Sequence, residues 1–244
     1  MKQSKQSLTI LHTESSLGWG GQERRLLSEA LALRCRGHRL LLAVDPRAEL
    51  YRRAQAAGLP VFPLPFSHVW KLPVVLQLRR LLRQEEVDIL NTHSSLDSWL
   101  GLAARLGLTP MVRLVRTRHL GLVIQKTWPT RFLYHQADAI ITAGDTIKAM
   151  IMERVGVPAN RIHSIPTGID PEAFSPTPPA PLPSFPPSHW PADAVIMGSI
   201  AILRFGKGIL YLLDAFVRVL AVEPRARLVI VGDGPAAPAI AEKI

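Results

Sequence analysis

Five stretches of this sequence place side chains or backbone where they could bind or move charge. "NTHSSLDSW" carries His93 directly after an apolar run, followed by Ser94 and Ser95. An imidazole there could act as a general base or hydrogen-bond a substrate hydroxyl. Its plainer role is a satisfied, partly buried histidine, and Ser95 would simply N-cap the next helix. "RTRHLG" gathers Arg116, Arg118 and His119 at the end of another apolar run. Strand alternation points the two arginines the same way, and such a cluster suits a phosphate or another acidic group. "ILRFGKGILYLLDAF" puts Arg204 and Lys207 in a glycine-containing segment that ends in Gly208 at a helix start. Two cations, a permissive backbone and a helix dipole would suit a diphosphate. "TESSLGWGG" places Gly18, Gly20 and Gly21 before a helix, where backbone could approach a ligand closely or merely form a flexible loop. Glu23 there would complement the helix dipole. "VIVGDGP" adds a tight turn at Gly232 and Asp233.

What could position these groups is legible in the alternation of short apolar runs and helix-period segments. Strands are predicted at 8–12, 39–44, 60–64, 87–93, 111–117, 138–143 and 161–166, with helices at 21–36, 46–57, 72–84, 95–107 and 144–154. Strands apolar on both faces that alternate with helices predict a doubly wound parallel sheet of Rossmann-like type. In such a sheet ligands gather at the carboxyl ends of the strands, where these stretches fall. Residues 1–170 form the first predicted domain. From Pro171 to Pro191 the chain holds 9 of its 21 prolines, which breaks ladder and helix alike, so 171–193 reads as a linker. The pattern restarts over 194–244 with strands at 194–201 and 226–232, a helix from Gly208 to about Val222 and another from Pro235. Two strands and two helices are too few to close a core, so this second Rossmann-like domain reads as incomplete and the sequence as truncated.

Composition narrows the function. The chain of 244 residues carries a net charge of +10, and residues 1–140 hold 20 Lys and Arg against 10 Asp and Glu, while the remainder holds 9 of each. A basic surface suits anionic lipid, phosphorylated ligands or nucleic acid. No RRM-type aromatic pattern, zinc finger or helix-turn-helix supports nucleic acid, so none is expected as a partner. A single cysteine, Cys35, leaves no internal disulfide and points to a reducing compartment. No signal peptide is apparent, and no run approaches the roughly 20 apolar residues of a membrane span. The expected location is cytoplasmic, with "KLPVVLQLRRLLRQ" (71–84) read either as a core-facing helix with a basic edge or as an amphipathic contact with an anionic membrane. The scattered histidines and absent D-x-D, H-E-x-x-H and cysteine pairs predict no metal site.

The ordered set "GWGGQE", "NTHSSLDSWLGLAAR", "RTRH", "IPTGID", "LRFGKGILYLLDAF" and "PRARLVIVGDGP" resembles family 4 glycosyltransferases of the GT-B fold over nearly the whole chain. "HSSxD" with "RTRH" looks most like enzymes of lipopolysaccharide or other cell-surface glycan assembly. The resemblance implies two facing Rossmann-like domains, an acceptor-side one and a donor-side one. It implies retaining transfer from a nucleotide-sugar donor to a glycan or lipid-linked acceptor, with no cofactor and no required metal. By it, His93 is the cleft histidine beside the transferred sugar, Gly20 and Gly21 approach the donor phosphates, and Arg204, Lys207 and Gly208 hold the diphosphate. Ser94, Arg118 and His119 line the acceptor side, and Gly232 and Asp233 form a donor-side turn. Two departures stand out: Ile202 occupies a position where many members carry arginine, and the later Glu-x7-Glu motif lies outside this chain. Little transfer by the chain alone is therefore expected. The alternative is a non-catalytic relative that binds a glycan or lipid acceptor.

Overall fold

The computed structural model describes residues 7–66, 71–119, 121–172 and 185–244. The chain divides into two compact units, 1–170 and 171–244. Most of the proline-rich segment, 173–184, lies outside the described residues.

The first unit is a parallel sheet of seven strands with helices between them. The strands are β1 (Thr9–Glu14), β2 (Arg39–Val44), β3 (Val61–Pro63), β4 (Ile89–Thr92), β5 (Arg113–Arg118), β6 (Ala139–Thr142) and β7 (Ile162–Ser164). The helices are α1 (Gly21–Cys35), α2 (Glu49–Ala56), α3 (Lys71–Gln84), α4 (Ser95–Arg105), α5 (Trp128–Gln136) and α6 (Asp145–Val155). Strand order is β3-β2-β1-β4-β5-β6-β7, every pair parallel. The chain winds outward from β1 through β3, then returns to place β4 on the other side of β1. The order therefore reverses between β1 and β4, where Thr13 pairs with Thr92. A ligand crevice opens at the carboxyl ends of two such strands.

Alternation builds a core on each face. Ile10, Leu40, Leu42 and Val44 pack with Leu26 and Ala30 of α1 and Leu50 and Ala54 of α2. Leu11, Leu41, Leu90 and Leu114 face the other way, onto Val74, Leu78 and Leu82 of α3 and Leu100 of α4. The segment 71–84 is thus a core-facing helix, with Leu72 and Leu76 left exposed. Gly101 lets α4 lie close on β4: a Cβ there would meet Leu90 Cδ2 at 2.9 Å. A third cluster joins Ile140 and Ile162 to Tyr134 of α5 and Ile147 and Ile151 of α6.

Helix α5 has no counterpart among the helices expected from the sequence. Pro129 would break a helix interior, but it sits in the first turn, where a missing N–H leaves nothing unpaired. The N-cap of α4 also differs from expectation. It is Ser94, not Ser95, because Asp97 three residues on reaches back to the Ser94 N–H at 2.8 Å.

The second unit pairs β8 (Val195–Ile200) with β9 (Ala226–Val231) in parallel and adds α7 (Ile209–Leu220) and α8 (Ala237–Lys243). Its small core contains Leu203, Ile209, Ala236 and Ile240.

Candidate functional site

The carboxyl ends of β1, β4 and β5 converge on a column of three histidines. His12 lies inside β1, His93 follows β4 and His119 follows β5. His12 Nδ1 is 3.0 Å from His93 Nε2, and His93 Nδ1 is 2.8 Å from His119 Nε2. The rings stack with centroids 5.2 and 5.1 Å apart and planes about 20° from parallel. His12 and His93 are buried and His119 is partly exposed. Burial, the first cause in each case, lowers all three below the ordinary histidine range, His12 and His119 to about 4. The neighbouring imidazoles and Arg25 add to this for His93, and Arg25 and His12 for His119. All three are neutral at pH 7.

This geometry changes the role open to His93. Both its ring nitrogens are taken by other imidazoles, which leaves none for a substrate. The member that reaches open space is His119. The rings hydrogen-bond in series instead of converging on a point, and among the described residues no group of three His, Cys, Asp or Glu is arranged to hold a metal ion.

Asp97 ties the site together. It accepts from Thr13 Oγ1 at 3.0 Å, His93 N at 2.8 Å, Ser94 N at 2.8 Å and Ser94 Oγ at 2.6 Å. One carboxylate thereby fixes the end of β1, the turn after β4 and the start of α4. Burial nonetheless pushes its pKa up, against these hydrogen bonds and Arg116. Ser94, also hydrogen-bonded to Ser15 Oγ at 2.6 Å, is part of the same network. Arg116 is buried too. It donates to Ser94 O at 3.3 Å and lies over the Tyr134 ring at 4.6 Å, so it supports α4 and α5 and is not turned toward a ligand. Arg118 donates to Leu122 O at 2.9 Å.

Glu14 ends β1 beside this network, fully buried. It accepts from Ser16 N at 2.8 Å and from the Gln22 side chain. Burial first, then Asp97 nearby, raises its pKa to about 7. In the glycine loop, Glu23 is buried and accepts from Gly20 N at 2.8 Å, a firmer role than dipole complement. A Cβ on Gly21 would meet nothing within 4 Å, so that position faces open space. Trp19 anchors the loop on the α1–α2 core, with Arg24 and Arg53 at 5.2 and 4.6 Å from its ring. Arg25 donates to Ile165 O at 2.8 Å and Thr167 Oγ1 at 3.2 Å, which holds the "IPTGID" segment against α1.

In the second unit, Arg204 precedes and Lys207 ends the 3-10 turn Phe205–Lys207, both with exposed side chains. Gly208 follows in the left-handed region at φ +73°. The Gly232–Gly234 turn packs directly on the chain leaving β8. A Cβ on Gly232 would lie 1.9 Å from Ala201 O, and one on Gly234 2.4 Å from Leu203 O. Asp233 O accepts from Leu203 N at 2.9 Å, and Asp233 Oδ1 from Gly234 N at 2.7 Å. The two loops at the carboxyl ends of β8 and β9 are thus one construction.

Residues 19–173 match the family model described as Glycosyltransferase Family 4. The chain belongs to this family. Similar solved structures agree with the fold. A glycosyltransferase from Rickettsia africae superposes at TM-score 0.77 and 18% identity, covering 98% of this chain and 64% of its own. Anabaena HepE in complex with UDP and glucose gives 0.68 and 16%, with 97% and 64% covered. The lipopolysaccharide outer core galactosyltransferase WaaB gives 0.65 and 14%, again with 97% and 64% covered. The family 4 chain therefore spans less than two thirds of the length of these structures. No curated protein sequence matches it.

Neither His12, Glu14 nor Asp97 stands out as a site residue in the sequence. His12 and Glu14 are two residues apart on the strand face that begins with the apolar Ile10, and Ser94-x-x-Asp97 is a capping-box pattern. Those are the available signals.

Proposed function

We propose that this chain supplies the acceptor-side unit and donor-binding elements of a retaining glycosyltransferase. It would move a sugar from a nucleotide-sugar donor to a lipid-linked or cell-surface glycan acceptor. The observation that carries this reading is the convergence of the histidine column, the Gly20–Gly21 loop and the Ser94 turn at the switch point of the first unit's sheet. HepE with bound UDP and glucose supports a nucleotide-sugar donor, and WaaB supports a lipopolysaccharide-type acceptor.

In this reading Arg204, Lys207 and the Gly208 backbone take the donor diphosphate. Charge grows on that leaving group as the glycosidic bond breaks, and a guanidinium and an ammonium held nearby stabilise it. Gly232 and Asp233 hold the donor-side loop in shape. His119, Arg118 and Ser94 face the acceptor, and His93 acts through His119. Gly20 and Gly21 leave room for phosphate or sugar. The reading calls for no cofactor and no metal. Among the described residues no helix is long and apolar enough to cross a membrane. A cytoplasmic chain held at the inner membrane face by the basic surplus of residues 1–140 fits a lipid-linked acceptor.

The test is calorimetric titration of the chain with a panel of nucleotide sugars, followed by product analysis with glycolipid acceptors. Lys207→Ala should weaken the best donor about 10- to 100-fold, the scale of a charged hydrogen bond. Equal affinity in both proteins refutes the diphosphate role. A second reading, acceptor binding without turnover, is favoured by the occupied nitrogens of His93. Donor binding without any product would select it.

A further inference from the structure

The histidine column has two possible directions, and its two ends are unlike. At the inner end, His12 Nε2 is buried with no partner among the described residues. At the outer end, His119 is partly exposed, and its Nδ1 takes no partner among them either. Each neutral imidazole carries one N–H and one lone pair. The proton positions must therefore run the same way through both hydrogen bonds.

In one direction His119 Nε2 donates to His93, His93 Nε2 donates to His12 Nδ1, and His12 is left with an N–H at its buried nitrogen. An orphaned buried donor is costly, and such donors are rarer than unfilled acceptors. In the other direction His12 Nδ1 donates to His93 Nε2, and His93 Nδ1 donates to His119 Nε2. The inner end is then only a lone pair, and the outer end is an N–H.

We propose that this buried dead end sets the direction of the whole column and fixes His119 as a hydrogen-bond donor, with Nδ1–H turned toward the ligand. His12 and His93 are positioning residues that act through it. The ligand atom it takes is an oxygen acceptor, such as a sugar hydroxyl or a phosphoryl oxygen. In this state His119 cannot take a proton from an acceptor hydroxyl through Nδ1. The inference deepens the glycosyltransferase reading by giving the acceptor-side histidine a defined polarity. The polarity itself follows from the column and would stand if the substrate assignment fell.

The experiment reads the tautomers directly. Long-range proton–nitrogen correlation spectra of the chain with labelled histidines, at pH 7.5 and without ligand, distinguish protonated from unprotonated ring nitrogens. His119→Gln identifies the His119 signals by their loss. His93 and His119 are both expected with the proton on Nδ1. A proton on His119 Nε2 in the native chain overturns the proposal, and this measurement needs no folded variant of His12. His12→Asp supplies the missing acceptor at the inner end. It should reverse the column, moving the His119 proton to Nε2. A folded His12→Asp chain with unchanged tautomers overturns the claim that the inner end sets the direction. Neither readout depends on transferase activity, so failure here is separable from failure of the functional assignment.

Discussion

Glu14→Gln should stabilise the protein by an amount that grows as pH rises from about 4.5 and is full only above 7. Glu14 is fully buried at the end of β1, and its pKa is raised from 4.5 to about 7, chiefly by burial. The folded state thus holds the proton more tightly than the unfolded chain. Below pH 4.5 the carboxyl is neutral in both states and nothing is lost. Between 4.5 and 7 the unfolded chain ionises while the folded chain does not, so stability falls as pH rises. Above 7 both states are ionised and the folded state carries the full penalty. A difference of this size corresponds to about 3 kcal/mol. Glutamine keeps the shape: its oxygen can accept from Ser16 N, and its amide can donate to a turned Gln22 amide. Urea unfolding of the native protein and the Glu14→Gln variant should therefore give equal stabilities at pH 4 and a gain of roughly 3 kcal/mol for the variant at pH 8.5. The corresponding rise in Tm is about 6–12 °C for a chain of this length. Equal stabilities at pH 8.5, or a loss of the same size at both pH values, would refute the reasoning.

The histidine column has the opposite pH dependence. His12 and His119 fall from 6.5 to about 4 on folding, so their contribution is whole above 6.5 and is lost as pH drops toward 4. In the Glu14→Gln background, where the compensation from Glu14 is removed, stability should fall by at least about 2 kcal/mol from pH 7 to 5, and a flat profile would count against neutral buried rings. Gly234→Ala forces a Cβ to 2.4 Å from Leu203 O at φ +153°, so it should destabilise the second unit by roughly 3 kcal/mol or more, seen as lost amide protection in β8 and β9. Asp97→Asn removes an acceptor from a carboxylate that takes four hydrogen bonds, and should loosen the turn after β4. Hydrogen exchange at His93 N should speed up at least tenfold; unchanged protection would show that the turn holds without the charge.

The sheet was legible in the sequence because buried parallel strands are apolar on both faces and the helices between them keep a different period. Boundaries moved by a few residues, as at 87–93 against Ile89–Thr92, since hydrogen bonding and not hydropathy ends a strand. Helix α5 escaped because an aromatic-rich segment beginning Trp128-Pro129 looks like a turn until Tyr134 and Leu133 have a core to enter. At the site, His93 and His119 are visible in the sequence because each comes directly after an apolar strand, at its carboxyl end. His12 carries no such mark because it lies within β1, and its meaning depends on a partner 81 residues away. Arg25 looks like a surface charge in "QERRLL" and Arg116 like part of an anion-binding cluster in "RTRHLG", yet both are buried and hydrogen-bonded within the protein. No local pattern carries that information.

The strand order has a kinetic meaning. His12 and His93 become neighbours only when β1 and β4 pair, and α1, β2, α2, β3 and α3 all lie between those two strands in sequence. The loop that must close is long, and its entropy is lost before the contact repays it. No form of the chain short of that closure contains the complete column. The ring signals of His12 and His93 in their native positions would consequently appear together and late during refolding, as a built-in reporter of the moment when the two halves of the sheet meet.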